Sequence, residues 1–263
     1  MTNSDRSSAH SLLEDSTLLY LLLSAVVIAA AGLVHGTLGL GFPLVATPLL
    51  ALFMDLRTAI LLTLLPTVAV NLVSIVRGGE WRQSIGRFWP LGVSALAGSG
   101  LGAWLLTVGD PAPYSLLLAG LVLLYLGTER ASSFNMAWVR RWVMPSMLVF
   151  GLIAGLSAGT TNVMVPILII YTLELRLAKT AMVQTFNLCF LAGKLAQISV
   201  FLATGLFTAA IAVTTAPLMV VAVLALFVGM HVRDRIATET YRRLVKRVLF
   251  VLALLLIGRY FYA

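Results

Sequence analysis

Carboxylates are scarce in this chain: 10 Asp and Glu among 263 residues, and none inside any of its long apolar runs. Charged residues of both signs reach only 11%, against about 25% in a soluble domain. A soluble globule of this size must cover a large wet surface, so the deficit of charge excludes one more firmly than the apolar content does. There is one cysteine, Cys189, and it lies inside an apolar run, so no internal disulfide can form and the redox compartment is not legible. No nucleophile–base–orienter set, metal-ligand spacing or phosphate loop is visible, so neither an enzyme, nor a metal, nor a cofactor is expected. Residues 1–17 are polar and lack both a basic leader and a small-residue cleavage site, so no cleaved signal peptide is expected.

What is present is 60% hydrophobic, with a mean hydropathy of +1.01. The net charge of +8 could suggest nucleic acid, but the basic residues flank the apolar runs, where Lys and Arg fix orientation and meet lipid headgroups. The chain therefore reads as a multi-pass, all-α integral membrane protein whose partner is the bilayer, with no nucleic acid. Six runs are ordinary spans, roughly 58–76, 88–107, 113–128, 180–203, 207–231 and 244–260, each near the ~20 residues that cross a ~30 Å core. Two further runs, 18–54 and 144–173, are too long for one straight crossing. They are interrupted at Gly36–Pro43 and at Gly155–Asn162, where glycine, proline and small polar residues predict an unwound turn.

The two interruptions read as copies. Gly32-Leu33-Val34-His35-Gly36 matches Gly151-Leu152-Ile153-Ala154-Gly155 at an offset of 119, and Asp55-Leu56-Arg57-Thr58-Ala59 matches Glu174-Leu175-Arg176-Leu177-Ala178 at the same offset. Pro48 and Pro166 fall one residue out of step. The chain then divides into a polar tail at 1–17, a first membrane repeat at 18–128, a cytoplasmic linker at 129–143 and a second repeat at 144–260. If each long run returns to its own side, fourteen Lys and Arg collect on one side and only Arg6, Arg57 and Arg259 remain on the other. The positive-inside rule places the fourteen in the cytoplasm and both termini outside. Each half then has three transmembrane helices plus a broken, re-entrant helical hairpin. That is an odd number of crossings, so the two repeats are inverted, with a binding site expected at the midplane between them.

Unwound backbone at membrane depth must be satisfied by protein or by a wet cavity, and a new helix beginning there presents free N–H groups to an anion. Gly39 and Gly41 allow close approach of a ligand to the main chain. Ser157, Thr160, Thr161 and Asn162 add donors in the second break. Lys194 sits near the middle of the 180–203 span, where a charge costs at least ~2.5–3.5 kcal/mol and calls for a partner. With no intramembrane carboxylate, an anionic substrate is the expected counter-ion, or the lysine is neutral while the site is empty. Thr180, Gln184, Asn187 and Lys194 share a stripe with Gln197 at its edge, and Thr63, Thr67, Asn71 and Ser74 form another on the related helix. Interhelical hydrogen bonding explains such stripes equally well. His35, just before the first break, could bind an anion or relay protons, although a lone histidine is more often a packed polar group.

The duplicated glycine-rich break followed by a short proline-bearing helix (Gly36 to Pro48, Gly155 to Pro166) resembles the sulfite exporter TauE/SafE family. So do the short loop and alanine that open the next helix, and the Gly79 and Gly205 turns. The likeness covers about 25–260. It implies transport of small sulfur-containing or organic anions across a bacterial-type plasma (inner) membrane, in particular export of sulfite or an organosulfonate. A permease for a carboxylate, or a passive anion channel, stays open as the alternative, and a homodimer is compatible with either. Phe42-Pro43 and Thr160-Thr161-Asn162 replace part of the family's glycine run, which alters the shape and donor set of the expected site. The candidate substrate-binding residues are His35, Gly39, Gly41, Phe42, Asn71, Ser157, Thr160, Thr161, Asn162, Asn187 and Lys194.

Overall fold

A computed structural model describes residues 3–79, 81–128, 134–233 and 238–262, with backbone alone at 3–18 and 238–242. Arg6, Arg130, Arg235 and Arg242 of the charge count, and parts of the tail and linker, lie outside these described side chains. The described residues form eleven helices: α1 (Asn3–Leu38), α2 (Phe42–Leu50), α3 (Leu56–Gly78), α4 (Ile85–Val108), α5 (Ala112–Thr128), α6 (Ala137–Arg141), α7 (Val143–Thr161), α8 (Val165–Glu174), α9 (Lys179–Ala203), α10 (Ala209–Arg233) and α11 (Thr238–Tyr262). Asp55 starts α3 by accepting the Thr58 N–H at 3.0 Å, and prolines open α2 and α8, where an N–H has no helical partner to lose.

Among the described residues six helices are long and apolar enough to cross a membrane, Leu19–Leu38, Leu56–Gly78, Ile85–Val108, Val143–Thr161, Lys179–Ala203 and Ala209–Arg233. Four were expected as spans. The other two, in α1 and α7, come from the runs expected to be broken near their middles. α1 and α7 stay helical through Gly36, Gly155 and Gly159, and unwind only at Gly39-Leu40-Gly41 and Asn162-Val163-Met164. The reason is packing. A Cβ at Gly36 would lie 2.2 Å from the Leu226 carbonyl of α10, and one at Gly159 would lie 2.5 Å from the Ser99 carbonyl of α4. These glycines therefore serve close helix contact. At 17 residues, roughly 25 Å, α5 is shorter than the hydrocarbon core, while α11 covers the remaining expected span.

The same contacts correct the register of the internal match. Gly32 faces Ala222 and Leu226, and Gly155 faces Ala95 and Ser99; Gly36 lies on Gly229, and Gly159 on Gly102. Gly32 thus corresponds to Gly155, not to Gly151, at an offset of 123 rather than 119. In this register Gly32-Leu33-x-x-Gly36-Thr37 aligns with Gly155-Leu156-x-x-Gly159-Thr160, and Pro43 with Pro166 without a gap. Helix contacts pair off accordingly: α1 packs on α10 as α7 packs on α4, and α10 on α3 as α4 on α9. α3 and α9, and α5 and α11, meet their own counterparts.

Each broken run returns to the end of the bundle where it began. The Tyr20 and Phe53 rings stack at 6.4 Å across α1 and the chain after α2. At the other end, Glu174 at the close of α8 accepts the Phe134 N–H at 3.2 Å and pairs with Arg140, just before α7. Asp55 caps α3, Arg57 donates to the Leu106 and Gly109 carbonyls, and Glu174 is wholly buried against Arg140. Outward-facing positions are apolar, including Leu195, Leu202, Val213 and Leu224, and all five tryptophans are exposed, as lipid-facing and interfacial residues are.

Candidate functional site

The first break is a backbone device. Gly39 and Gly41 have φ of 82° and 102°, a region that costs an L side chain about 1–2 kcal/mol. Behind it, His35 is buried: its Nδ1 accepts the Phe42 N–H at 3.4 Å and its Nε2 lies 3.1 Å from Ser74 Oγ of α3. A backbone N–H can only donate, so Nδ1 is the acceptor and the neutral ring carries its proton on Nε2, toward Ser74. His35 and Phe42 are therefore partners of each other, and Pro43 contributes no N–H. The free helix N-terminus expected at α2 is largely consumed within the protein.

The second break is a side-chain device. Asn162, at φ 67°, ends α7 in the left-handed region and sends its amide Nδ2 to Thr47 Oγ1 of α2 at 2.7 Å and Thr63 Oγ1 of α3 at 2.8 Å. Thr63 gives its own proton to the Ala59 carbonyl, which leaves its oxygen free to accept from Asn162. Opposite, Gln197 of α9 donates to the Ala158 and Gly159 carbonyls at 2.9 and 3.1 Å. Lys194, 2% exposed, donates to Gln197 Oε1 at 2.5 Å, its one hydrogen-bond partner among the described residues. The ammonium thus stands near the negative end of α7, a favourable place for a cation.

The candidates fall into two groups, not one. His35, Gly39, Gly41 and Phe42 form the first break, with Asn71 one turn before Ser74 on α3. Asn162 and Lys194 belong to the second. Along α3 the levels of the breaks are marked by Ser74 and Thr63, eleven residues or roughly 16 Å apart. The single shared midplane space expected between the two new helices is not what the breaks form. Ser157, Thr160 and Thr161 lie within α7 and give their hydroxyl protons to the Ile153, Leu156 and Ser157 carbonyls, so they are not the free donors that the sequence suggested. Asn187, buried on α9, has both amide atoms without a partner among the described residues. Ser74, Thr63 and Gln197 were visible only as members of polar stripes. Thr47 was missed, although a threonine between apolar residues and Pro48 is a legible signal.

Cavities flank the bundle. One of ≈ 250 Å³ is lined by Asp55, Asp110 and Arg259 among others, and an apolar one of ≈ 220 Å³ lies between α1, α2 and α11. Neither is lined by a candidate residue. Among the described residues no three His, Cys, Asp or Glu are placed to hold a metal ion. A bundle of crossing-length helices, two of them broken and followed by half-length helices, with a buried cation and polar side chains facing the breaks, has the build of a membrane transporter. The profile of the sulfite exporter TauE/SafE family matches residues 24–256, and the chain belongs to that family. It is a transporter, not an enzyme. Comparison with curated proteins and with solved structures gives no match.

Proposed function

We propose that this chain is a secondary transporter that exports a small anion, a sulfur oxyanion such as sulfite or an organosulfonate. The observation that carries the reading is Lys194. A cation buried this far from water costs several kcal/mol unless something compensates it, and among the described residues the only polar contact of its ammonium is the neutral amide of Gln197. A singly or doubly charged oxyanion would supply the missing charge, with Gln197 and the polar groups of the second break around it. Family membership narrows the class of anion, because the family is described as one of sulfite exporters.

Inverted repeats are the architecture this mechanism would use. The paired contacts at the 123-residue offset support it, as does the return of each broken run to its own end. The ends of α3, α8 and α10 and the starts of α4, α7 and α9 bring Arg77, Arg87, Arg140, Arg176, Lys179 and Arg233 to one end of the bundle. That end would face the cytoplasm and both termini would lie outside.

The test is flux from proteoliposomes. Sulfite, thiosulfate and a sulfonate are expected to leave faster than the background leak and with saturation, and Lys194→Ala is expected to reduce the rate to background. Movement of carboxylates alone would change the substrate class, and flux that never saturates would make the protein a channel. If no anion in the panel moves, the proposal fails. Orientation is checked by impermeant thiol labelling in a Cys189→Ser background, at Asp55→Cys and Lys179→Cys, both exposed. Labelling of both from the same side would exclude the inverted arrangement.

A further inference from the structure

The apolar cavity between α1, α2 and α11 belongs to neither break. Its ≈ 220 Å³ is walled by Ala30 and Val34 of α1, Val45 and Leu49 of α2, and Leu244 and Val248 of α11, and every lining residue is aliphatic. An apolar cavity of roughly 150 Å³ already stays dry and accepts benzene, so water does not fill this larger one. The space arises because α11 packs mainly on α5 and meets α1 and α2 more sparsely. Leu244 and Val248 line it and are still 58% and 42% exposed, so the cavity opens outward. In a membrane the solvent on that side is acyl chain.

The cavity lies toward the end of the bundle where α11 begins. Along α1, Ala30 and Val34 come roughly 16 and 22 Å after Leu19, where the span starts. Along α11, Lys246 stands roughly 20 Å before Arg259, which reaches the Ala51 carbonyl at the far end. Positions 238–247 carry Arg242, Arg243, Lys246 and Arg247 against the one carboxylate of Glu239. At about 100° per residue, the lining positions 244, 245, 248 and 249 cover about 140° of the helix. Lys246 and Arg247 fall about 60° beyond its two edges. Lys246 is half-buried and Arg247 exposed. Helical side chains lean toward the N-terminus, here toward the nearer end of the bundle, so the two cations flank the mouth of the cavity on its headgroup side.

We infer that this cavity and the Lys246–Arg247 pair form a binding site for one anionic phospholipid, with an acyl chain among the aliphatic side chains and the phosphate between the two cations. The chain would lie against α2, the helix that follows the first break. A zwitterionic lipid offers the same chain without net charge, and glycerol 3-phosphate offers the charge without a chain, so the two halves of the site are separable. The site does not depend on which anion, if any, the protein transports.

The experiment is thermal unfolding of the purified full chain in detergent at constant ionic strength, titrated with dioleoyl phosphatidylglycerol, dioleoyl phosphatidylcholine or glycerol 3-phosphate. Phosphatidylglycerol is expected to raise the melting temperature by a few degrees, with saturation, by binding the folded state. Phosphatidylcholine should give less than half that rise, and glycerol 3-phosphate none. Lys246→Gln/Arg247→Gln should abolish the preference for the anionic lipid. Val248→Trp, which fills the cavity from an exposed position, should abolish the saturable rise itself. Arg82→Gln/Arg87→Gln removes equal charge elsewhere, on exposed residues, and should change neither. No rise in the parent, an equal rise with both lipids, or a rise with glycerol 3-phosphate overturns the site. So does a preference that survives Lys246→Gln/Arg247→Gln, a rise that survives Val248→Trp, or an equal loss in Arg82→Gln/Arg87→Gln, which would mean attraction to net charge alone.

Discussion

The two breaks occupy equivalent places and are built from different chemistry. Gly39 and Asn162 correspond at the 123-residue offset, and both adopt a left-handed backbone, at φ 82° and 67°. Glycine accepts that conformation because it has no Cβ, and asparagine because its short amide tolerates it. Only the asparagine has a side chain to spend, and it uses it to tie α7 to α2 and α3. The first break is instead held from behind, by the His35 ring between Phe42 and Ser74. The helix facing each break differs in the same way. Asn71 and Ser74 on α3 correspond to Lys194 and Gln197 on α9, so one level is neutral and rich in acceptors while the other is cationic. The two breaks share a frame, and the helices that face them differ in charge.

The largest effect should come from the contacts the two halves share. Gly36→Val and Gly159→Val each drive a side chain into a neighbouring backbone, and both are expected to leave no monodisperse protein on size exclusion. Gly120→Ala, where a Cβ meets nothing within 4 Å, should be recovered normally. Survival of one of the two valine variants would break the equivalence of the helix pairs. Next comes exchange of the charge. The double variant Asn71→Lys/Lys194→Asn keeps composition and moves the lysine to its repeat-related position. Its anion flux should stay at background, because Ser74 there cannot bridge to helix-end carbonyls as Gln197 does. Recovery to half the parent rate would show the two levels to be interchangeable.

A smaller effect separates the two ways of making the turn. Asn162→Gly keeps the backbone and loses both cross-links, about 1–2 kcal/mol of unfolding free energy. Asn162→Ala should lose roughly 1 kcal/mol more, since alanine resists the left-handed region. Equal losses, measured by denaturation in mixed micelles, would remove backbone strain from the account. The smallest concerns the ends of the half-length helices. Arg140 meets Glu174 at the end of α8, and Arg259 reaches the Ala51 carbonyl just after α2. Glu174→Gln and Arg259→Gln should each cost about 1 kcal/mol or less, the partly exposed arginines limiting both. A loss several times larger at either end would show that one hairpin is anchored differently from the other.

Much of this was legible before any coordinates. Length and hydropathy located the spans, and glycine, proline and polar residues located the breaks to within a few positions. An internal match was also legible, but its register was misjudged, because Gly32-Leu33 matches both Gly151-Leu152 and Gly155-Leu156 and local identity cannot choose between them. Contact with α10 and α4 can. Ser157, Thr160 and Thr161 looked like available donors since side-chain type does not reveal that a helix hydroxyl has already turned back to its own carbonyl. Asn71, Asn187 and Lys194 were expected to line one anion site; the structure buries all three, with Asn71 and Lys194 beside different breaks.

By itself, the sequence determined that the chain lies in the bilayer, that two of its apolar runs are interrupted, and that one lysine has no carboxylate to pair with. These are properties of composition and order along the chain, and the cost of burying charge and bare backbone in hydrocarbon makes them decisive. Tertiary structure decided which glycines unwind and which pack, how far apart the breaks lie, and which amide oxygens are left without a donor. Those outcomes depend on what stands opposite each residue. In a bundle where every helix is apolar, the neighbour is set by close backbone approach and hydrogen-bond geometry, which the order of residues along one helix does not reveal.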